Sequence, residues 1–160
     1  MQTFLPWDDF DDSANALDYR RLGKQRVETQ QILNVLVSIN PNLAPPNELS
    51  SQRPGWRNHP AVLMWEGYDH ALALYGIAIC EEWLSRGYRD GVCSRFWQHL
   101  QLNYPVEEDA EMPWWFGREE FHDSHRAMLK MKDPEFYSDF PNSRATGYWW
   151  PTEHMDERMV

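Results

Sequence analysis

The amino-acid sequence predicts an all-α protein, a compact single domain over 1–160 with about three main helices. Three observations carry that expectation. Apolar residues recur at helical spacing over long stretches, no stretch sustains the strict alternation of a half-buried strand, and Pro or Gly stands at the segment borders. A chain of 160 residues fits one domain. It can bury roughly 68–70% of its unfolded surface and needs no disulfide or metal staple.

Residues 1–12 read as an extended arm in which Phe4, Leu5, Pro6 and Trp7 can dock on a core ahead of an acidic turn. Ser13 is a suitable N-cap for a first helix from Ala14 to about Ser38, with Leu17, Val27, Ile32, Leu33, Val35 and Leu36 as its apolar residues. Gly23 weakens that helix by up to about 1 kcal/mol relative to Ala, unless it admits a close neighbour. Residues 40–57 hold four prolines and no helical period, so they form a loop. Asn58-His59-Pro60 then starts a second helix, with Pro60 at its first position and Gly87 beyond its end. Unbroken, that helix spans roughly 39 Å. It is apolar on most sides and belongs in the centre of the molecule. A short helix is expected over Ser94–Leu102, then an acidic loop, then a basic helix over 118–132 that Asp133-Pro134 ends. The aromatic tail from Pro134 to Pro151 is expected to wrap back over the helices.

Composition narrows the function classes. Apolar residues at 42% and charged residues at 25% exclude wholesale disorder. A net charge of −10 counts against a non-specific nucleic-acid binder, which gains affinity by neutralising phosphates. The charge is uneven, however. Asp8, Asp9, Asp11 and Asp12 form one acidic run and Glu107, Glu108, Asp109 and Glu111 another, while Arg20, Arg21, Lys24 and Arg26 crowd into seven positions. Cys80 and Cys93 do not make a secreted disulfide framework, and Cys80 reads as a small buried hydrophobe. No Cys-x-x-Cys, signal-peptide pattern or membrane-length apolar run is present. The expectation is a cytoplasmic monomer that needs no metal or cofactor.

The stretch from Asp18 to Glu28 carries the most chemistry. On a helix, Arg21, Lys24 or Gln25, and Glu28 share one face. Several donors beside one carboxylate suit the holding of phosphates while Glu28 acts on a nearby atom. The plain alternative is a solvated face with one Lys24–Glu28 ion pair. His122 and His125, with Arg126 beside them near a helix start, offer a second phosphate contact. His59 stands either as a cap or as a polar group at the positive end of the second helix. Asp69, Glu81 and Glu82 lie within that apolar helix and need partners if buried. No HExxH, P-loop, GxSxG or Rossmann glycine pattern occurs.

The order of these pieces resembles the phage-type pyrimidine-dimer DNA glycosylases of the endonuclease V type. The resemblance rests on the N-terminal arm, on Tyr19-Arg20-Arg21-Leu22-Gly23-Lys24, on the helix ending Cys80-Glu81-Glu82-Trp83-Leu84-Ser85-Arg86-Gly87-Tyr88, and on a basic helix followed by an aromatic tail. MQTFLPWDDF, RLGKQRVE, GWRNHPAV and SHRAML are also similar to a widespread group of small proteins near that family. The resemblance implies a compact helical enzyme whose terminal α-amine attacks the sugar carbon to form a Schiff base, assisted by a glutamate on the first helix. Arginines then hold the phosphates of a kinked duplex with a displaced base. An α-amine suits that role because the ordinary pKa of such a group, near 7.7–8.0, leaves a neutral fraction at physiological pH. The chain departs from the family twice. Arg21 stands where the family's glutamate falls, with Glu28 the nearest carboxylate on the same face, and Gln2 is bulkier than the residue the family exposes after removal of the first methionine.

The leading expectation is therefore a DNA glycosylase and abasic-site lyase acting on damaged or modified pyrimidines. Met1 would supply the amine and Glu28 the acid and base. Arg20, Arg21, Lys24 and Arg26 would clamp phosphates, with His59, His125 and Arg126 as further DNA contacts. Two alternatives stand beside it. One is cleavage or transfer at the N-glycosidic bond of a free nucleotide. The other is a non-catalytic protein of the same fold, in which the basic cluster pairs with Asp69, Glu81 or Glu82.

Overall fold

The computed structural model describes residues 1–45 and 55–156. These form six α-helices and one 3₁₀ turn, with no strand among the described residues, as expected from the apolar spacing. The helices are α1 (Phe10–Ala16), α2 (Tyr19–Ile39), α3 (Pro60–Leu63), α4 (Asp69–Ser85), α5 (Ser94–Asn103) and α6 (Glu119–Lys132). The last two fall within about a residue of their sequence-predicted bounds. The proline-rich loop expected over 40–57 lies partly outside the described residues.

Both long helices expected from the sequence are broken, each for a local reason. Ser13 is not a cap. It is buried inside α1, which Asp9 caps by accepting from the Asp12 N–H, and the Ser13 hydroxyl donates to the Trp7 carbonyl. Leu17 then turns extended, and Asp18 caps α2 by accepting from the Arg21 N–H at 3.4 Å. The second break falls at Gly67, whose φ of +85° lies in the left-handed region that an L side chain resists. The 39 Å helix is thus a single turn, α3, followed by α4 of 17 residues.

The helix α4 is the central element, packing against α1, α2 and α5. Ten of its residues are buried, which fits its apolar character on all sides. The approach of α4 to α2 explains Gly23. A Cβ there would lie 2.9 Å from the Trp83 ring, so any larger residue would have to displace that ring from its place against α2. Trp65 and Trp115 are fully buried and meet edge to face at 5.0 Å, in the centre of the aromatic core.

The cysteines correct the expectation. Cys80 is buried, but as half of a disulfide with Cys93, which ties the C-terminal half of α4 to the residue just before α5. These two sulfurs and Asp90 also form a group of three metal-type ligands among the described residues, yet the sulfurs are bonded to each other. No described helix is long and apolar enough to cross a membrane.

Candidate active-site cleft

The N-terminal arm is extended, so each of its peptide groups needs a partner that a helix would supply internally. Side chains from two helices provide them. On the α2 side, Gln25 accepts from the Phe4 N–H at 3.0 Å and donates through Nε2 to the Gln2 carbonyl at 2.7 Å. On the α6 side, the Leu5 peptide is read by two histidines. Its N–H donates to His125 Nδ1 at 2.9 Å, and its carbonyl lies 2.8 Å from His122 Nδ1. His122 Nε2 accepts from the Gly117 N–H, so its proton sits on Nδ1 and is donated to Leu5. Arg126 completes the seam by donating to the Pro6 carbonyl at 2.7 Å.

This stitching brings the start of the chain to Glu28. The Gln2 N–H donates to Glu28 Oε2 at 3.1 Å, and Gln25 Nε2 lies 3.3 Å from the same oxygen. The sequence logic is simple. Gln25 and Glu28 are three apart and share a helix face, so the turn of α2 that grips the arm also presents the carboxylate beside it. Lys24 Nζ lies 3.8 Å from the other Glu28 oxygen, too far for a hydrogen bond, with its side chain 75% exposed.

A cleft of about 850 Å³ opens at this point. One wall is the start of α2 with Tyr19, Arg20, Arg21 and Lys24, and the floor holds Met1, Gln2 and Glu28. A second wall is made by Lys132 at the end of α6, Phe136 beyond it, and Tyr148 and Trp150 from the aromatic tail. Arg21 is partly committed, since its guanidinium reaches Asp18 at 3.1 Å. Burial would raise the Asp18 carboxyl, but hydrogen bonds from Tyr137 and Arg21 outweigh it and hold the group below its ordinary value. His59 also lines the cleft. Burial lowers its pKa, as does the positive chain terminus nearby, while Glu28 acts in the opposite sense. Its Nδ1 accepts from the Ala61 N–H at 3.0 Å, so the neutral ring carries its proton on Nε2 and remains a donor.

The structure thus brings together Met1, Glu28, Arg20, Arg21, Lys24 and His59. It does not bring the other three basic residues there. Arg26 faces away, ion-paired with Asp90 and stacked at 4.2 Å over Trp83. His125 is fully buried, and burial lowers its pKa to about 3, so it is neutral and cannot serve as a cationic phosphate contact. Arg126 is 4% exposed, bonded to Pro6 and Glu119 and stacked on Trp7. Both belong to the arm seam. Nor does the basic cluster pair with the acidic residues of α4. Asp69 accepts from His99 and Tyr104, and Glu82 pairs with Arg86. Sequence reasoning missed Gln2 and Gln25 as the arm's clasp and the wall made by Lys132, Phe136, Tyr148 and Trp150. The signal for the clasp was the unpaired backbone of an extended arm. The far wall had no local signal, because only the tertiary fold carries the tail to α2.

An all-helical protein that holds its N-terminus and a glutamate in one cleft, with cations on both walls, is the class of protein that the sequence resemblance implied. Residues 1–92 match the family model of the pyrimidine dimer DNA glycosylases, more than half of the chain, and the protein belongs to that family. No curated protein and no solved structure matches it. The matched segment contains the arm, all of α2 and His59, whereas the Lys132 and tail wall lies beyond it.

Proposed function

We propose that the protein is a DNA glycosylase and abasic-site lyase acting on damaged or modified pyrimidines, with the chain-terminal amine as nucleophile and Glu28 as acid and base. The observation that carries this reading is the Gln2 N–H held 3.1 Å from Glu28 Oε2, which fixes the terminus beside a carboxylate at the floor of a cation-lined cleft. In the reaction, the neutral amine's lone pair forms a bond to the sugar C1′ as the bond to the base breaks. Glu28 takes a proton from the amine and passes it to a departing or ring oxygen or nitrogen atom. The sugar ring opens to the Schiff base as its oxygen leaves C1′ and takes up a proton, and the Glu28 carboxylate then takes the C2′ proton as the 3′ phosphate departs, which nicks the strand. Arg20, Arg21 and Lys24 hold phosphate oxygens, Lys132 does so from the other wall, and His59 donates from Nε2.

Residues beyond the family match supply that second wall, which favours one functional unit over 1–160. A monomer acting on cytoplasmic DNA without a metal or cofactor belongs to the same reading. Cleavage at a free nucleotide is the second reading, favoured by the net charge of −10, because a small anion needs only a local basic pocket. Salt separates the two, since a duplex binder loses affinity steeply as salt rises.

The test is strand nicking of a duplex with one abasic site. Wild type should nick it. Glu28→Gln should bind that duplex with wild-type affinity and turn it over about 10²–10⁴-fold more slowly. Unchanged turnover in Glu28→Gln would remove Glu28 from the mechanism, and no nicking by wild type would bring nucleotides forward.

A further inference from the structure

Tyr75 of α4 is fully buried, its ring packed on Trp65 at 6.2 Å and edge to face on Phe10 at 5.5 Å. A phenylalanine would serve that packing as well, and a buried hydroxyl costs free energy unless it is bonded. This one is bonded to a particular pair of groups. It faces the Phe4 carbonyl at 2.7 Å and Gln25 Oε1 at 2.8 Å, sharing one proton between two acceptors. Burial and the nearby Glu28 charge raise its pKa well above the ordinary value, so it stays a donor throughout the neutral range.

The contact continues past the arm. Gln25 Oε1, which Tyr75 meets, also accepts from the Phe4 N–H, so turning the carboxamide over would set donor against donor. Its other end, Nε2, donates to the Gln2 carbonyl and lies 3.3 Å from Glu28 Oε2. Gln2 follows the terminal amine in the chain, and Glu28 is the carboxylate held beside it. One network thus runs from the aromatic core through Tyr75 and Gln25 to the floor of the cleft, although Tyr75 itself does not line the cleft.

We propose that Tyr75 is a positioning residue, whose hydroxyl fixes the Gln25 carboxamide and through it the Gln2 peptide and the Glu28 carboxylate relative to each other. A glutamine side chain is long and costly to immobilise, and bonds at both ends of its carboxamide hold it in one setting. A misplacement of about 1 Å at a reacting group costs on the order of 10²-fold in rate, so the hydroxyl acts on turnover without touching the ligand. The role rests on the nicking chemistry proposed for the cleft.

The experiment measures single-turnover nicking of an abasic duplex and, by anisotropy, its binding, at a temperature where thermal curves show each variant folded. Tyr75→Phe removes only the hydroxyl and should nick at least about tenfold more slowly, with affinity within about twofold of wild type. Thr3→Val is the control. It removes another buried arm contact, the Thr3 hydroxyl that accepts from the Trp65 indole N–H at 3.0 Å, and should keep the wild-type rate. Gln25→Met should also be slow, and adding Tyr75→Phe to it should slow it no further, because the hydroxyl acts through Gln25. Unchanged nicking in Tyr75→Phe, equal slowing in Thr3→Val, or losses that multiply in the double variant would overturn the role while leaving the glycosylase reading intact. In wild type, the Gln25 carboxamide protons should exchange slowly with solvent by NMR, and fast exchange would overturn the role even if Tyr75→Phe did not fold. No nicking by wild type would overturn both.

Discussion

Two groups of basic residues look alike in the sequence and differ in the fold. Arg20, Arg21 and Lys24 on α2 stand at the cleft with their charges available or only partly paired, and the Lys24 side chain is 75% exposed. His125 and Arg126 on α6 are buried, one neutral and one bonded to the Pro6 carbonyl. The first group faces a ligand, and the second replaces the backbone partners that an extended arm lacks. The difference teaches that a basic residue beside an unpaired main chain has a structural use that competes with anion binding. Neighbouring sequence alone does not decide between them.

Acid acts most strongly on the buried group. Unfolded histidine takes up a proton near its ordinary pKa of about 6.5, whereas burial and the nearby His122 hold folded His125 neutral down to about 3. The unfolded state therefore binds more protons across that window. The stabilisation is complete above pH 6.5 and is lost progressively as pH falls towards 3. His122, also lowered by burial, adds in the same direction. Urea unfolding at pH 7 and pH 4.5 should show a steep fall in wild type and a shallower one in His125→Gln, which starts less stable. Equal slopes would mean that His125 is protonated in the folded state.

Next in size is the removal of the arm's cationic anchor. Arg126→Met keeps most of the bulk against Trp7 but removes the bond to Pro6, and should cost about 2 kcal/mol, lowering Tm by about 4–8 °C. Its DNA affinity should fall with salt as steeply as that of wild type. The smallest stability change belongs to the other group. Arg20→Ala and Lys24→Ala should each shift unfolding by less than about 0.5 kcal/mol. Each should also reduce the slope of log affinity against log salt by about 0.9 for every phosphate that the side chain no longer neutralises. A large stability loss in Lys24→Ala, or a changed salt slope in Arg126→Met, would erase the distinction between the two groups.

How much of this was legible follows the range of the interactions. The all-α fold, α5, α6 and the central position of α4 were written in local periodicity. So was the face carrying Arg21, Lys24, Gln25 and Glu28, because spacing on a helix is a local property. The break before α2 was harder to read, since Asp18 is held as a cap partly by Tyr137, 119 residues away, whose hydroxyl lies 2.5 Å from Asp18 Oδ1. Gly67 gave no warning because an isolated glycine is tolerated within a helix until its φ must turn positive. The Cys80–Cys93 bond and the wall built from Lys132 and the tail depend on chain folding back, which no window of sequence contains.

The central claim is that the chain terminus, placed by Gln25 and the α6 histidines beside Glu28, is the attacking amine. Borohydride trapping on a duplex with one abasic site, followed by peptide mapping of the cross-link, tests it most directly. Only Lys24, Lys130 and Lys132 compete as amines, so the attachment point is readily assigned. The expected result is a cross-link on the N-terminal peptide, at the amine of Met1, or at that of Gln2 if the methionine has been removed. A cross-link at one of the lysines, or none at all, would contradict it.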